Sequence, residues 1–290
     1  MQWFGRGESD NVEDQRGSGG GRGLAVGGGI VGLIAAAIYF FTGIDPSQVL
    51  NQVSSNQPQQ TEQQAKDPNA PEDNGKKFVR VVLKDTEDIW GKLFADMGRQ
   101  YQDPKVVLFT DAVQSACGNA SSATGPFYCP GDARVYIDLS FYDELKNRFG
   151  AAGDFAQAYV IAHEVGHHVQ NLLGVSAKMD QARNRLSQRE YNKLSVKLEL
   201  QADFYAGVWA HYEQSIKKVI DEKDIKDALN AANAIGDDRL QQQTQGHVEP
   251  DSFTHGTSAQ RMYWFKKGYE TGDVKQGNTF ADDRLALVVN

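Results

Sequence analysis

The chain has 290 residues and a formal net charge of −8 with its histidines neutral. That balance leaves no basic excess to neutralise phosphates, which excludes a general nucleic-acid binder. Hydrophobic residues make up 40% of the chain, enough for a sizeable core in one large domain or two small ones, and no period of 20–50 residues marks a solenoid.

Residues 1–23 are Gly-rich, mixed in charge and poor in bulky apolar groups, and read as a disordered cytoplasmic tail. Residues 24–44, LAVGGGIVGLIAAAIYFFTGI, carry no charge. At roughly 1.5 Å per residue, about twenty helical residues cross a bilayer core, so this stretch reads as a transmembrane helix. Tyr39, Phe40 and Phe41 stand near one end, where an aromatic belt belongs. Arg16 and Arg22 before the stretch and Asp45 after it place the N-terminus inside. Residues 45–75, rich in Gln, Asn, Ser and Pro, read as a flexible linker, and a folded domain is expected over 76–290.

Cys117 and Cys129 both follow the expected span and bracket a loop-like segment. Their spacing does not suit a zinc knuckle, and outside the cytosol a disulfide is the expected pairing.

Within the domain, FVRVVLK (78–84) reads as a strand and the following TEDIWGKLFADMGRQY as an amphipathic helix capped by Thr86. Residues 105–110 and the centre of 133–141 read as further strands, and a short helix runs to Gly150. Asp154 and Gln157 suggest a capping box opening a helix over 155–173, which Gly174 stops. Ser187 with Glu190 opens a long helix to about Tyr212. KDIKDALNAANAIGDDRLQQ reads as one more helix, and Thr257 with Gln260 opens a last one ending near Gly272. Few strands followed by many helices predict an α+β class, mostly helical with a small sheet.

The chemistry concentrates in VIAHEVGHHVQ. On a helix, His163 and His167 lie one turn apart on one face and can reach one cation. Glu164 is rotated about a hundred degrees, beside such an ion, in position to act as a general base. His168 points elsewhere. A catalytic zinc takes three protein ligands and keeps an open position, and Glu199 in KLELQADFYAG is the candidate third ligand. Asp203, one turn on, would accept a ring N–H from a ligand histidine. Like charges at this spacing repel, and a nearby cation would account for the pair. His255 and Arg261, in SFTHGTSAQRMYWF, are candidate donors to the oxyanion of amide hydrolysis. His211 reads as structural, and His247 shows nothing.

SACGNASSATGPFYCPGDARVYID, VIAHEVGHHVQ, LELQADFYAGVW and THGTSAQRMYWF together resemble the bacterial family called putative neutral zinc metallopeptidases, over residues 76–275. The Glu199–Asp203 and His255–Arg261 spacings also resemble CAAX-prenyl-protease-like gluzincins, although Gly256 stands where a proline is usual there. The resemblance implies a zincin-like metallopeptidase domain, with substrate along an edge strand, for which residues 134–138 are the candidate. The expected span and the cysteine pair together place the catalytic domain outside the cytosol, on the periplasmic side of a bacterial inner membrane. The reading is thus a membrane-tethered endopeptidase using Zn2+, with peptide or protein substrates. The alternative is a membrane-anchored scaffold or binding protein with a structural zinc. Glu164 separates the two, because a structural site needs no base.

Overall fold

The computed structural model describes residues 1–17 and 73–281. Helix α1 (Asn74–Asp96) starts on Asp73, whose carboxylate accepts the Lys76 N–H. It contains the stretch expected as a strand over 78–84, and Thr86, expected as a cap, is internal, its hydroxyl donating to the Leu83 carbonyl. The β-branched run misleads because this helix is covered on several sides. Phe78, Val79, Val81, Val82 and Leu83 are all buried, and such packing overrides local propensity.

Part of that cover is the N-terminal segment. Trp3 packs edge-on against Phe78, with ring centroids 5.4 Å apart, and its Nε1–H reaches Asp154 Oδ2 at 2.9 Å. Arg6 bonds Asp85, and Ser9 and Asn11 both donate to Glu87. Strand β1 (Val12–Asp14) then pairs in parallel with β2 (Lys105–Phe109), Val12 facing Val106. Met1–Arg16 thus fold with the chain from Asp73 onward into one compact unit. This corrects the expectation of a disordered tail: the segment buries an indole and pairs its polar groups.

The expected placement across a membrane is overturned as well. Among the described residues no helix is long and apolar enough to cross one. A single crossing at 24–44 would put β1 and β2 on opposite faces of a bilayer, whereas they share a hydrogen-bonded ladder. The stretch 24–44 and most of the expected linker lie outside the described residues.

After β2, β3 (Ala112–Ser115) and β4 (Gly118–Ser121) form a separate antiparallel hairpin. β5 (Phe127–Cys129) and β6 (Arg134–Asp138) return to the main sheet, whose order is β1-β2-β6-β5. β1, β2 and β6 run parallel, and β5 is antiparallel to β6. β6 is therefore internal. The edge strands are β1 and β5, and β5 leaves little trace in the sequence because it is short and sits inside the loop closed by the Cys117–Cys129 disulfide.

The helices follow: α2 (Ser140–Asn147), α3 (Asp154–Leu172), α4 (Val175–Arg183) and α5 (Gln188–Tyr212). The cap of α3 is Gly153, because the Asp154 carboxylate is engaged by Trp3. Gly174, at φ 83°, ends the element as expected. The Ser187–Glu190 capping box opens α5. The single helix expected from 223 onward is two, α6 (Glu222–Ala234) and α7 (Asp237–Gln245), divided at Ile235–Gly236. The Thr257–Gln260 box opens α8 (Ser258–Thr271).

α5 packs on both α3 and α8. The second contact is very close: a Cβ on Gly207 would lie 2.0 Å from the Phe265 carbonyl oxygen, and one on Gly268 2.1 Å from that of Phe204. Only glycine permits that approach, which sets the distance between Asp203 on α5 and Arg261 on α8.

Candidate metal centre

α3 presents His163 and His167 from successive turns, and α5 crosses it with Glu199 facing both. His163 Nε2 lies 3.1 Å from Glu199 Oε2, and His167 Nε2 lies 3.4 Å from Glu199 Oε1. One ligand atom from each falls within 4.8 Å of the others, and among the described residues this is the one group of three or more such side chains able to hold a metal ion. Two imidazole nitrogens and a carboxylate oxygen suit zinc. Neither cysteine is available to close the site, since both are in the disulfide.

The far nitrogens are held too. His163 Nδ1 faces Asp203 Oδ1 at 2.8 Å, and His167 Nδ1 faces Gln170 Oε1 at 2.8 Å. Each acceptor holds a proton on Nδ1 and leaves Nε2, the atom that faces Glu199, as the one that would bind an ion. Asp203 is fully buried and also accepts from the Tyr159 hydroxyl at 2.5 Å and from Arg261, Nε to Oδ2 at 2.8 Å and Nη2 to Oδ1 at 3.0 Å.

The electrostatics follow from this packing. Burial opposes ionisation of Asp203, but Arg261 and His163 outweigh it and hold the carboxyl below its ordinary range. Burial also opposes charge on His163, yet Asp203 and Glu199 raise it to about 10. Glu199 is held well below the ordinary carboxylate range, the two histidines overcoming its desolvation. Glu164 goes the other way: desolvation raises it, only partly offset by the imidazoles.

Glu164 sits at the wall of a cleft of about 690 Å³, together with His163, His167, Glu199 and His255. Phe127 and Tyr128 of edge strand β5, with Phe141 and Val160, supply apolar wall.

His255 and Arg261 take different places. The His255 side chain is 50% exposed at the cleft, its Nδ1 3.2 Å from Asp237 Oδ1. Asp237 Oδ2 accepts the backbone N–H groups of Thr254, His255 and Gly256 at 2.8, 2.6 and 3.0 Å, and so shapes the loop that carries the ring. Arg261 is buried and directs its donors to Asp203, Tyr159 and the Ile235 carbonyl. His168 is also away from the centre: Nε2–H donates to the Gln102 carbonyl at 2.6 Å and Nδ1 accepts from the Tyr128 hydroxyl at 3.0 Å. His211 donates to the Tyr269 carbonyl, and exposed His247 faces its own loop.

Gln170, Tyr159 and Asp237 were not singled out from sequence. Gln170 and Tyr159 carried a signal, lying three residues after His167 and four before His163 on the same helix. Asp237 carried none, because a loop eighteen residues downstream gives it its role.

The family model described as "Putative neutral zinc metallopeptidase" matches residues 1–280. An Escherichia coli K12 protein, "Uncharacterized protein YpfJ", is 51% identical over 288 residues, covering 97% of this chain and 99% of that one. "Uncharacterized protein Rv2575" of Mycobacterium tuberculosis H37Rv is 47% identical over 191 residues, covering 62% of this chain and 64% of the relative. No solved structure matches the chain. The family is a zinc family, and the His163–His167–Glu199 group fits that ion. By the extent of the family match and of the first of these relatives, the chain belongs to the putative neutral zinc metallopeptidase family.

Proposed function

We propose that this protein is a zinc-dependent endopeptidase, with His163, His167 and Glu199 holding the ion and Glu164 as the general base. One observation carries the reading: Glu164, buried and adjoining His163 on α3, stands beside three converging donors in an open cleft.

Zinc, when bound, supplies Lewis acidity and makes water a nucleophile at neutral pH. The chain's own residues do the rest. Glu164 takes a proton from the attacking water and returns it to the departing amine. His255, its Nδ1 turned to Asp237, offers its other ring nitrogen to the oxyanion. Arg261 acts through Asp203 and thereby orients His163. An extended peptide would add to the free edge of β5, main-chain hydrogen bonds setting its path and the apolar walls taking its side chains.

The rival is a scaffold with structural zinc. Such a site is ordinarily closed by a fourth ligand, often Cys, and needs no base. Zinc content and peptide cleavage by the full chain, compared with Glu164→Gln, decide between them. The variant should keep its zinc and lose on the order of 10²-fold or more in kcat. Undiminished cleavage by Glu164→Gln would end the base assignment. Zinc without cleavage of any peptide in a diverse library would favour the scaffold.

A further inference from the structure

Gln170 is 1% exposed and every polar atom of its amide is engaged. Nε2 donates to the Leu198 carbonyl at 2.7 Å and to Gln201 Oε1 at 3.1 Å, while Oε1 faces His167 Nδ1 at 2.8 Å. The orientation of the amide is forced. The Leu198 carbonyl only accepts, so the NH2 group must face it. Gln201 is fixed by the same logic, its Nε2 donating to the Gly277 carbonyl at 2.8 Å and leaving Oε1 to accept from Gln170. With both amides set, Gln170 Oε1 is the group His167 meets, and the proton must sit on Nδ1.

Leu198 immediately precedes Glu199. The same side chain that orients a histidine of α3 is therefore tied to the α5 backbone next to the candidate carboxylate ligand. The two candidate histidines are also held differently, His163 by an anion that Arg261 neutralises and His167 by a neutral amide.

We propose that Gln170 is a positioning residue for the metal centre: anchored by Leu198 and Gln201, it locks His167 in the Nδ1–H form and fixes the register of α3 against α5 at the three donors. This rests on the zinc reading above for the identity of the ion, and on the hydrogen bonds alone for the orientation. Gln170→Leu keeps the approximate volume and removes all three bonds. Outer partners of ligand histidines are worth roughly 10- to 100-fold in metal affinity.

The test uses the full chain and two measurements besides activity. Zinc affinity is read by competition with a chromogenic chelator. The hydrogen-bonded Nδ1–H of His167 is read by proton and nitrogen NMR of the zinc-loaded protein. Gln170→Leu should bind zinc about 10- to 100-fold more weakly and lose or shift the His167 Nδ1–H signal while that of His163 stays. Leu145→Ala, a buried cavity variant on α2, should melt earlier yet bind zinc as the wild type does. Gln201→Leu, one step further back, should weaken zinc binding less and shift the same signal, and it carries the test if Gln170→Leu does not fold. Unchanged affinity with an unchanged His167 signal in the folded variant would overturn the proposal, as would equal loss of affinity in Leu145→Ala. Wild-type protein that binds no zinc would instead sink the proposed function and this inference together.

Discussion

Arg261 holds Asp203 through two bonds, Nε to Oδ2 at 2.8 Å and Nη2 to Oδ1 at 3.0 Å, with both side chains shut away from water. A buried pair of this kind gives little net stability over an apolar pair, but breaking it leaves an uncompensated charge. Arg261→Met should therefore cost about 3–5 kcal/mol in urea denaturation. Arg261→Lys should recover only part, because an ammonium cannot reproduce the two-pronged geometry. Wild-type stability in Arg261→Met would show that His163, the other positive partner of Asp203, compensates it alone.

A second buried cluster predicts a pH dependence. Glu213 is fully buried, Arg6 Nη1 stands 3.6 Å away, and Asp85 nearby is claimed by Arg6 and Lys217. Burial, and then the charge of Asp85, push Glu213 up to about 8. A carboxyl raised on folding holds its proton more tightly in the native state. Its contribution is full below the ordinary carboxylate range and falls as pH rises toward 8, by at most about 1.4 kcal/mol per pH unit. Melting curves from pH 5 to 9 should show this decline, and Glu213→Gln should flatten it. An equal decline in the variant would assign the effect to other groups.

The chain on either side of residues 18–72 is drawn together in the folded unit: Arg16 Nη2 lies 2.5 Å from Asp73 Oδ2, and Asp14 pairs with both Arg16 and Lys76. Replacing residues 18–72 by a short Gly/Ser linker should therefore leave the unit folded. Shortening the connection about eightfold favours the native state by up to about 2 kcal/mol. Deleting residues 1–16 should do the opposite, exposing Phe78 and removing Arg6 from Asp85 and Ser9 and Asn11 from Glu87. Thermal melts of the two deletions give the comparison, and a shortened chain that fails to fold would show that 18–72 contribute to the core.

Edge strand β5 ends in a disulfide. Cys129 is buried at the end of β5, and Cys117 lines the cleft. Closing a loop of this length contributes roughly 2–3 kcal/mol. Cys117→Ser/Cys129→Ser should be less stable by that amount, and KM for peptides should rise more than kcat falls, since β5 would bind substrate without touching the zinc ligands. A change confined to kcat would place the influence of the disulfide on the metal centre.

The centre was legible in sequence because its parts obey helical arithmetic. His163 and His167 are one turn apart, Glu199 and Asp203 are one turn apart, and capping boxes at Ser187 and Thr257 mark where α5 and α8 begin. Local chemistry fixes such features, so a linear string reports them. The convergence of Glu199 on both histidines, the engagement of Arg261 by Asp203 and the role of Gln170 depend on how α3, α5 and α8 cross, and that is set by packing between distant residues such as Gly207 and Phe265. The same reason explains the misreadings. FVRVVLK has strand-like chemistry but lies in a helix because Trp3 and the core cover it, and β6 is internal because three residues near Cys129 form the outer strand. The sequence by itself determined which side chains are candidate donors and that Glu164 adjoins one of them on the helix. Only the tertiary structure decided which donors meet, which strands lie at the sheet edges and that the first sixteen residues belong to the fold, because burial and long-range hydrogen bonds have no signature in neighbouring residues.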